Sequence, residues 1–93
     1  MGYIKVKNKN NTSNKIPPKG YGSWLAFWED KTGIAPKFCK MKDCTNDAEV
    51  GGHVIKAGEG AKEYILPICK SCNNQGDTEE FEAEEGDLVS VAD

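Results

Sequence analysis

A chain of 93 residues is long enough for one small domain, whose core is modest enough that a bound metal would matter to its stability. Charged residues make up 29% of the chain, the formal net charge is -3, and no apolar run approaches the roughly 18 residues of a membrane span. The N-terminal residues also lack the apolar core of a signal peptide, so we expect a cytoplasmic protein with no membrane partner.

The charges are divided unevenly along the chain. Residues 1–42 carry nine lysines and two acidic residues, whereas residues 43–93 carry three lysines and thirteen acidic residues. The sequence contains no arginine, the residue that makes bidentate contacts with guanine and phosphate. This composition argues against a specialised nucleic-acid-binding protein, although lysines alone can provide weak, salt-sensitive attraction to phosphate.

A basic arm rich in Asn and Lys is predicted at the N-terminus, over residues 1–22. Residues 3–7 alternate between apolar and polar side chains, and the Asn/Lys run that follows has nothing to bury. We therefore expect the arm to be partly flexible and residues 23–93 to form a single folded domain. Such an arm is either a solvated tail or a segment that grips nucleic acid.

A short aromatic helix is predicted over residues 24–32. Ser23 is a favourable N-cap, Gly33 is a favourable C-cap, and Pro36 lies just beyond. The aromatic density is too high for a free surface helix, so we expect these side chains to pack on the cysteine-bearing unit, residues 39–75, and supply its core. The alternative is a platform that stacks bases or binds a partner.

A β-hairpin and a second helix are predicted next. Residues 48–56 and 62–68 are typical of two strands joined by a turn, and Pro67 marks the end of the second strand. A helix is predicted from Cys69 to about Phe81, and the alternation over residues 87–92 predicts a short C-terminal strand.

Four cysteines occur as two short-spaced pairs, Cys39 with Cys44 and Cys69 with Cys72. Two such pairs, far apart in sequence, are typical of a tetrahedral site in which each short loop supplies two thiolates to one ion. The start of the second helix also favours the thiolate forms of Cys69 and Cys72. We therefore predict one structural Zn²⁺ held by these four residues. A CxxC redox pair and two disulfides are the alternatives, and disulfides are rare in the cytosol.

A zinc knuckle that carries the first cysteine pair is followed by a β-hairpin and then by a helix that begins at the second pair. This order resembles a treble-clef zinc finger. Gly51-Gly52-His53-Val54 and the run Tyr-Ile-Leu-Pro-Ile-Cys-Lys-Ser-Cys-Asn-Asn at residues 64–74 are similar to the zinc-bearing branch of the HNH endonuclease superfamily. The resemblance covers the zinc core, residues 39–75. It implies a small α+β zinc domain with a treble clef, on which the aromatic helix packs, and with a short C-terminal strand.

In that branch a histidine on the first strand is the general base beside a second, catalytic metal. By resemblance, His53 occupies this position. The family pattern has a metal-binding Asp or His where this chain has Gly52, and an orienting Asn where it has Tyr64. The catalytic site is therefore expected to be degenerate. The last metal ligand of the pattern would fall on one of three helix residues, Asn73, Asn74 or Asp77.

These observations predict a non-catalytic, structural zinc-binding module of HNH-like, treble-clef type that mediates a macromolecular interaction. A protein partner is slightly favoured over nucleic acid, because the acidic second half of the chain would repel a phosphate backbone. The alternative is a metal-dependent HNH-type nuclease with His53 as general base. A lone strand histidine can equally be a packed or hydrogen-bonded residue.

Overall fold

One antiparallel sheet forms the framework of the domain. A computed structural model of the chain describes residues 2–9, 17, 19–58, 62–74 and 80–91. Its strands are β1 (Tyr3–Asn8), β2 (Val50–Lys56), β3 (Glu63–Ile68), β4 (Glu80–Glu84) and β5 (Val89–Ser90). The helices are α1 (Trp24–Thr32), α2 (Lys70–Asn73) and a 3₁₀ turn at Glu85–Asp87. The five strands are ordered β4-β1-β2-β3-β5 across the sheet.

Each face of the sheet buries its own set of apolar side chains. On one face α1 packs against β2, β3 and β5 and forms the helix-side core with Phe27, Trp28 and Ile65. Neighbouring residues of a strand point to opposite faces, so Leu66 belongs to the other set. This second set is the cysteine-side core, formed by Val6, Cys39, Met41, Val54, Tyr64, Leu66, Ile68, Cys69 and Ala83.

Helix α1 has the bounds predicted from the sequence. The hydroxyl of Ser23 accepts a hydrogen bond from the backbone N–H of Ala26 at 3.1 Å, and Gly33 ends the helix with a φ of 73°. Trp28 is fully buried, and its indole Nε1 donates to the backbone carbonyl of Asp87 at 2.7 Å. The aromatic helix therefore packs on the β2–β3 hairpin, but it builds a core of its own with Ile65 on the opposite face of the sheet from the cysteines, instead of supplying the core around them.

Replacing Ser23 with alanine is expected to lower the free energy of unfolding by about 1 kcal/mol, because the N–H of Ala26 loses its acceptor. Ser23→Asp keeps an acceptor at the cap and should remain close to the wild type. Urea unfolding followed by tryptophan fluorescence measures both variants. An alanine variant as stable as the wild type would show that the cap contributes nothing.

Strand β1 lies inside the sheet, within the segment predicted to be an arm. It pairs with β2 on one side and with β4 on the other, and Val6 is fully buried. Ile4 packs against the same cysteine-side core. The alternating residues thus have an apolar face to bury, and residues 3–8 belong to the folded domain, which corrects the boundary at residue 22. Residues 10–16 of the predicted arm lie outside the described residues.

The second helix is much shorter than the sequence predicts. Helix α2 ends at Asn73, and Phe81, which was expected near the end of this helix, lies in β4. Residues 75–79 lie outside the described part of the chain. Lys5 of β1 stands directly opposite Glu82 of β4. Opposite charges across a strand pair stabilise it, and Phe81 and Ala83 of β4 pack in the cysteine-side core, so both features favour a strand for the acidic segment.

The hairpin and the short C-terminal strand are confirmed. In the hairpin His53 pairs with Ile65 and Gly51 with Pro67. Strand β3 ends at Ile68, the last residue of the predicted range, and so continues one residue past Pro67. Strand β5 pairs only with Tyr64 and Ile65, so no ladder on that side requires an N–H from Pro67. Neither helix in the described ranges has the length and hydropathy needed to cross a membrane.

The two oppositely charged halves of the chain meet in the sheet. Lysines of the basic half form ion pairs with carboxylates of the acidic half, so part of their positive charge is neutralised within the protein. This arrangement weakens the attraction of the basic half for phosphate. Within the described residues, the ion pairs between the two halves are Lys5–Glu80, with an N–O distance of 3.8 Å, and Lys42–Glu82, at 3.3 Å. A third pair, Lys56–Glu85 at 3.1 Å, lies within the acidic half.

Candidate metal centre

The four cysteines meet on the face of the sheet opposite α1. Their Sγ atoms all lie within 4.8 Å of one another. The individual separations are 3.8 Å for Cys39–Cys72, 3.8 Å for Cys44–Cys69 and 3.9 Å for Cys44–Cys72. A disulfide bond is only about 2.05 Å long, and all four thiols are free. The four residues predicted as ligands therefore form a group that can hold a metal ion.

The first pair lies on a tight turn, residues 39–44, which we call the knuckle. The backbone N–H of Cys39 donates to the carbonyl of Asn46 at 2.8 Å, and that of Cys44 donates to the carbonyl of Met41 at 3.1 Å. Asp43 adopts a φ of 65°, a left-handed conformation that aspartate reaches more easily than most residues. These features bend the chain sharply enough for both thiols to face the second pair.

The second pair lies at the start of α2. Cys69 is the N-cap, and its sulfur accepts a hydrogen bond from the backbone N–H of Cys72 at 3.4 Å. The N–H of Lys70 donates to the carboxylate of Glu49 at 2.8 Å. The side-chain amide of Asn8 donates to the carbonyl of Cys72 at 2.8 Å. Strands β1, β2 and β3 therefore all help to position this short helix.

The surroundings give the thiols unequal acidity. Burial raises the pKa of Cys69, but the amide of Asn46, 3.5 Å from its sulfur, and the N–H of Cys72 outweigh burial and bring the pKa to about 6. Burial raises the pKa of Cys39, although the backbone N–H of Met41 opposes it. Burial and the neighbouring sulfur of Cys69 raise the pKa of Cys72. In the metal-free protein Cys39 and Cys72 therefore hold protons at neutral pH.

Two residues that the sequence patterns did not single out support the cluster. Asn46 contacts the sulfur of Cys69 from 23 positions away in the chain, and Asn8 contacts Cys72 from 64 positions away. Asparagine is common in loops and runs, and neither residue stands at a motif position. Only the folded arrangement identifies their role.

His53 lies on the face of the sheet that carries α1. It is buried, with 6% of its surface exposed, and its Nδ1 is 3.2 Å from a carboxylate oxygen of Glu63. Its ring packs edge-on against Trp24, with the ring centroids 4.7 Å apart. These contacts are those of a packed, hydrogen-bonded histidine.

The neighbouring position, Gly52, can take a side chain only if the buried side chain of Ile68 shifts. A Cβ there would lie 2.4 Å from Cδ1 of Ile68 and 3.2 Å from Oδ1 of Asn73. Because residues alternate along a strand, Gly52 and Asn73 lie on the opposite side of the hairpin from His53. The residues expected to build a catalytic site are thus not brought together around His53.

The other positions of the family pattern agree with this placement. Tyr64 is buried in the cysteine-side core, Asn74 is exposed, and Asp77 lies outside the described residues. Within the described residues, the cysteine cluster is the one group of three or more His, Cys, Asp or Glu side chains whose ligand atoms can reach a common ion.

His53→Ala is expected to lower the free energy of unfolding by about 1–3 kcal/mol, because Trp24 and Glu63 both lose a buried contact. His53→Gln retains a polar group and should lose less. Urea unfolding compares the two variants. Cleavage of DNA or RNA that requires Mg²⁺ or Mn²⁺, and that disappears in a folded His53→Ala variant, would contradict a purely structural role.

Comparison with protein-family models, with curated proteins and with solved structures finds no match to this chain. Function must therefore be inferred from the site itself. That site is a cluster of four free thiols, able to hold a metal ion, in a small α+β domain with one five-stranded antiparallel sheet.

Proposed function

We propose that the chain is a non-catalytic module of HNH-like, treble-clef type, in which one structural zinc ion organises a surface that binds another protein. The convergence of the four thiols carries this proposal. A Zn–S bond of about 2.3 Å in a tetrahedral site separates neighbouring sulfurs by about 3.8 Å. Three of the six sulfur–sulfur separations, at 3.8 Å, 3.8 Å and 3.9 Å, match this value, and the other three are within 4.8 Å. An all-thiolate set also favours zinc over the harder ions calcium and magnesium.

A structural role follows from the composition of the site. Four cysteines fill a tetrahedron, so that no position remains open for water or substrate, as a catalytic zinc would require. Cys39 and Cys69 belong to the cysteine-side core, where a bound ion would join the knuckle to the start of α2. Such an ion adds covalent cross-links that a core of this size lacks.

The order of the elements supports the treble-clef assignment. The knuckle comes first, the β2–β3 hairpin follows, and the second cysteine pair stands at the start of α2. This chain would be a short variant of that layout, because α2 has only four residues. Strands β1 and β4 then extend the hairpin into a wider sheet.

A protein partner is favoured by what the surface offers. Of the two tryptophans of α1 that could form a stacking platform for bases, Trp28 is fully buried, and Trp24 is partly buried and packs against Phe27 and His53. Two large apolar side chains near the knuckle, Ile34 and Phe38, are 51% and 58% exposed. Exposed apolar side chains, together with lysines that pair with carboxylates of the same chain, are more compatible with a surface that binds protein than with one that binds a phosphate backbone.

Fluorescence anisotropy with labelled single- and double-stranded nucleic acids should show only weak binding that vanishes by about 200 mM salt.

Zinc titration of the metal-free protein tests the site. We expect one Zn²⁺ per chain and a release of protons, because Cys39 and Cys72, whose pKa values are raised, must lose their protons to bind metal. The affinity should therefore rise with pH and fall on acidification. Calorimetry in buffers of different ionisation enthalpy counts the protons. Binding that releases no protons, or whose affinity is the same at about pH 6 and pH 8, would contradict the proposal.

A further inference from the structure

The four thiols form a buried inner pair and a more accessible outer pair. The inner pair, Cys39 and Cys69, is 5% and 1% exposed. The sulfur of Cys69 also accepts two hydrogen bonds, from the side-chain amide of Asn46 and from the backbone N–H of Cys72. The outer pair, Cys44 and Cys72, is only partly buried. Within the described ranges, the hydrogen bonds found at these two sulfurs come from other thiols and not from any N–H group.

This difference has a direct chemical consequence. An N–H donor stabilises the charge on a thiolate and lowers its nucleophilicity, and burial keeps reagents away from it. The outer sulfurs are less deeply buried, and within the described residues no N–H hydrogen bond is found at either of them. They also lie 3.9 Å from each other, so that when one of them reacts, the other is in position to attack it.

We propose that Cys44 and Cys72 are an oxidative modification site, at which a hydroperoxide joins the two sulfurs and releases the metal from the cluster. This inference rests on the proposed function, because it requires a zinc ion bound by the four thiolates. The oxidant would be a peroxide small enough to reach a partly buried thiolate.

The reaction proceeds in two steps. One outer thiolate attacks an oxygen of the hydroperoxide, the O–O bond breaks, and the leaving oxygen takes up a proton, which gives a sulfenic acid and an alcohol or water. The second outer thiolate then attacks the sulfenic sulfur, forms the S–S bond and expels hydroxide, which is protonated to water. The two sulfurs together lose two electrons and the peroxide gains them.

Release of the metal follows from the loss of ligands. Zinc retains only Cys39 and Cys69, and two thiolates bind it far more weakly than four. The new bond would still join the knuckle to α2, so that the oxidised chain remains cross-linked at the same place. Reduction of the disulfide by a thiol would restore the four-thiolate site.

The test oxidises the zinc-loaded full chain with hydrogen peroxide while a chromogenic chelator reports free zinc. Mass spectrometry of unreduced peptides then identifies the disulfide. We expect one zinc released per chain together with a Cys44–Cys72 bond. Any other disulfide, including Cys39–Cys72 or Cys44–Cys69, whose sulfurs lie 3.8 Å apart, would overturn the proposal. So would release of zinc without a disulfide, or retention of zinc under peroxide that oxidises a free thiol.

Two matched variants separate the pairs. Cys44→His and Cys39→His each keep four zinc ligands, but only the first removes an outer thiol. Peroxide should release zinc from Cys44→His about tenfold more slowly than from the wild type and from Cys39→His at about the wild-type rate. Equal rates in the two variants would overturn the proposal. If either variant fails to bind zinc, the disulfide identified by mass spectrometry in the oxidised wild type decides whether the proposal holds. A wild-type chain that binds no zinc before oxidation would instead refute the proposed function.

Discussion

Cys69→Ser is expected to abolish both zinc binding and cooperative unfolding. Cys69 caps α2, its sulfur lies 3.8 Å from that of Cys44, and its side chain is part of the cysteine-side core. Structural zinc contributes about 10–16 kcal/mol of apparent binding free energy in small domains. A domain of this size has only about 5–15 kcal/mol of net stability in total. Losing one of the four ligands therefore removes more stability than the fold can spare.

Near-ultraviolet circular dichroism and thermal unfolding measure this loss. Lys70→Ala is the matched control, because Lys70 is exposed on the same turn and its backbone N–H, which bonds to Glu49, is unchanged. Treating the wild type with a strong zinc chelator should reproduce the behaviour of the serine variant. A Cys69→Ser protein that unfolds cooperatively at the wild-type temperature would show that the metal is not needed for the fold.

Gly51→Ala is expected to be highly destabilising although it adds a single methyl group. A Cβ at this position would lie 2.6 Å from Cβ of Trp24, 2.8 Å from its carbonyl carbon and 2.9 Å from the backbone nitrogen of Leu25. Two of these three atoms belong to the backbone of α1, so the clash is relieved only if the helix moves away from β2. We expect a loss of about 3 kcal/mol in the free energy of unfolding.

Gly86→Ala is the control for this substitution. A Cβ at Gly86 meets nothing within 4 Å, and the backbone there does not adopt a positive φ. Its free energy of unfolding should therefore stay within about 0.5 kcal/mol of the wild type in urea unfolding. If the two alanine variants were equally stable, α1 could not pack as closely on β2 as the structure describes.

Local signals in the sequence were sufficient to predict the helix, the cysteine pairs and the hairpin. Ser23 and Gly33 bound a helix because their capping chemistry acts within a few residues. The cysteine pairs were recognisable because a short loop can direct two thiols to one point, and the structure brings all four together. The hairpin followed from two apolar runs separated by a turn.

Non-local pairing explains what the sequence patterns missed. Strand β4 presents Phe81 and Ala83 between glutamates, a pattern that looks like a solvated acidic segment until β1 supplies Lys5 opposite Glu82. The two strands lie more than 70 positions apart, and no local propensity indicates that they pair. The predicted continuation of α2 and the predicted arm at residues 3–8 were wrong for this same reason.

The Gly51–Gly52 pair illustrates a limit of the family resemblance. By the resemblance, Gly52 marks a lost catalytic ligand. In the structure each glycine serves close packing on one face of β2: Gly51 admits the backbone of α1, and Gly52 admits Ile68. Sequence alone could not reveal this role, because it depends on which elements cover the two faces of the strand.

Metal analysis combined with zinc X-ray absorption on natively purified protein tests the central claim most directly. The proposed site predicts one zinc per chain, surrounded by four sulfur atoms at about 2.3 Å. A folded chain that carries no metal, an iron–sulfur cluster in place of zinc, or nitrogen and oxygen atoms bound directly to the zinc would contradict a four-thiolate structural zinc site.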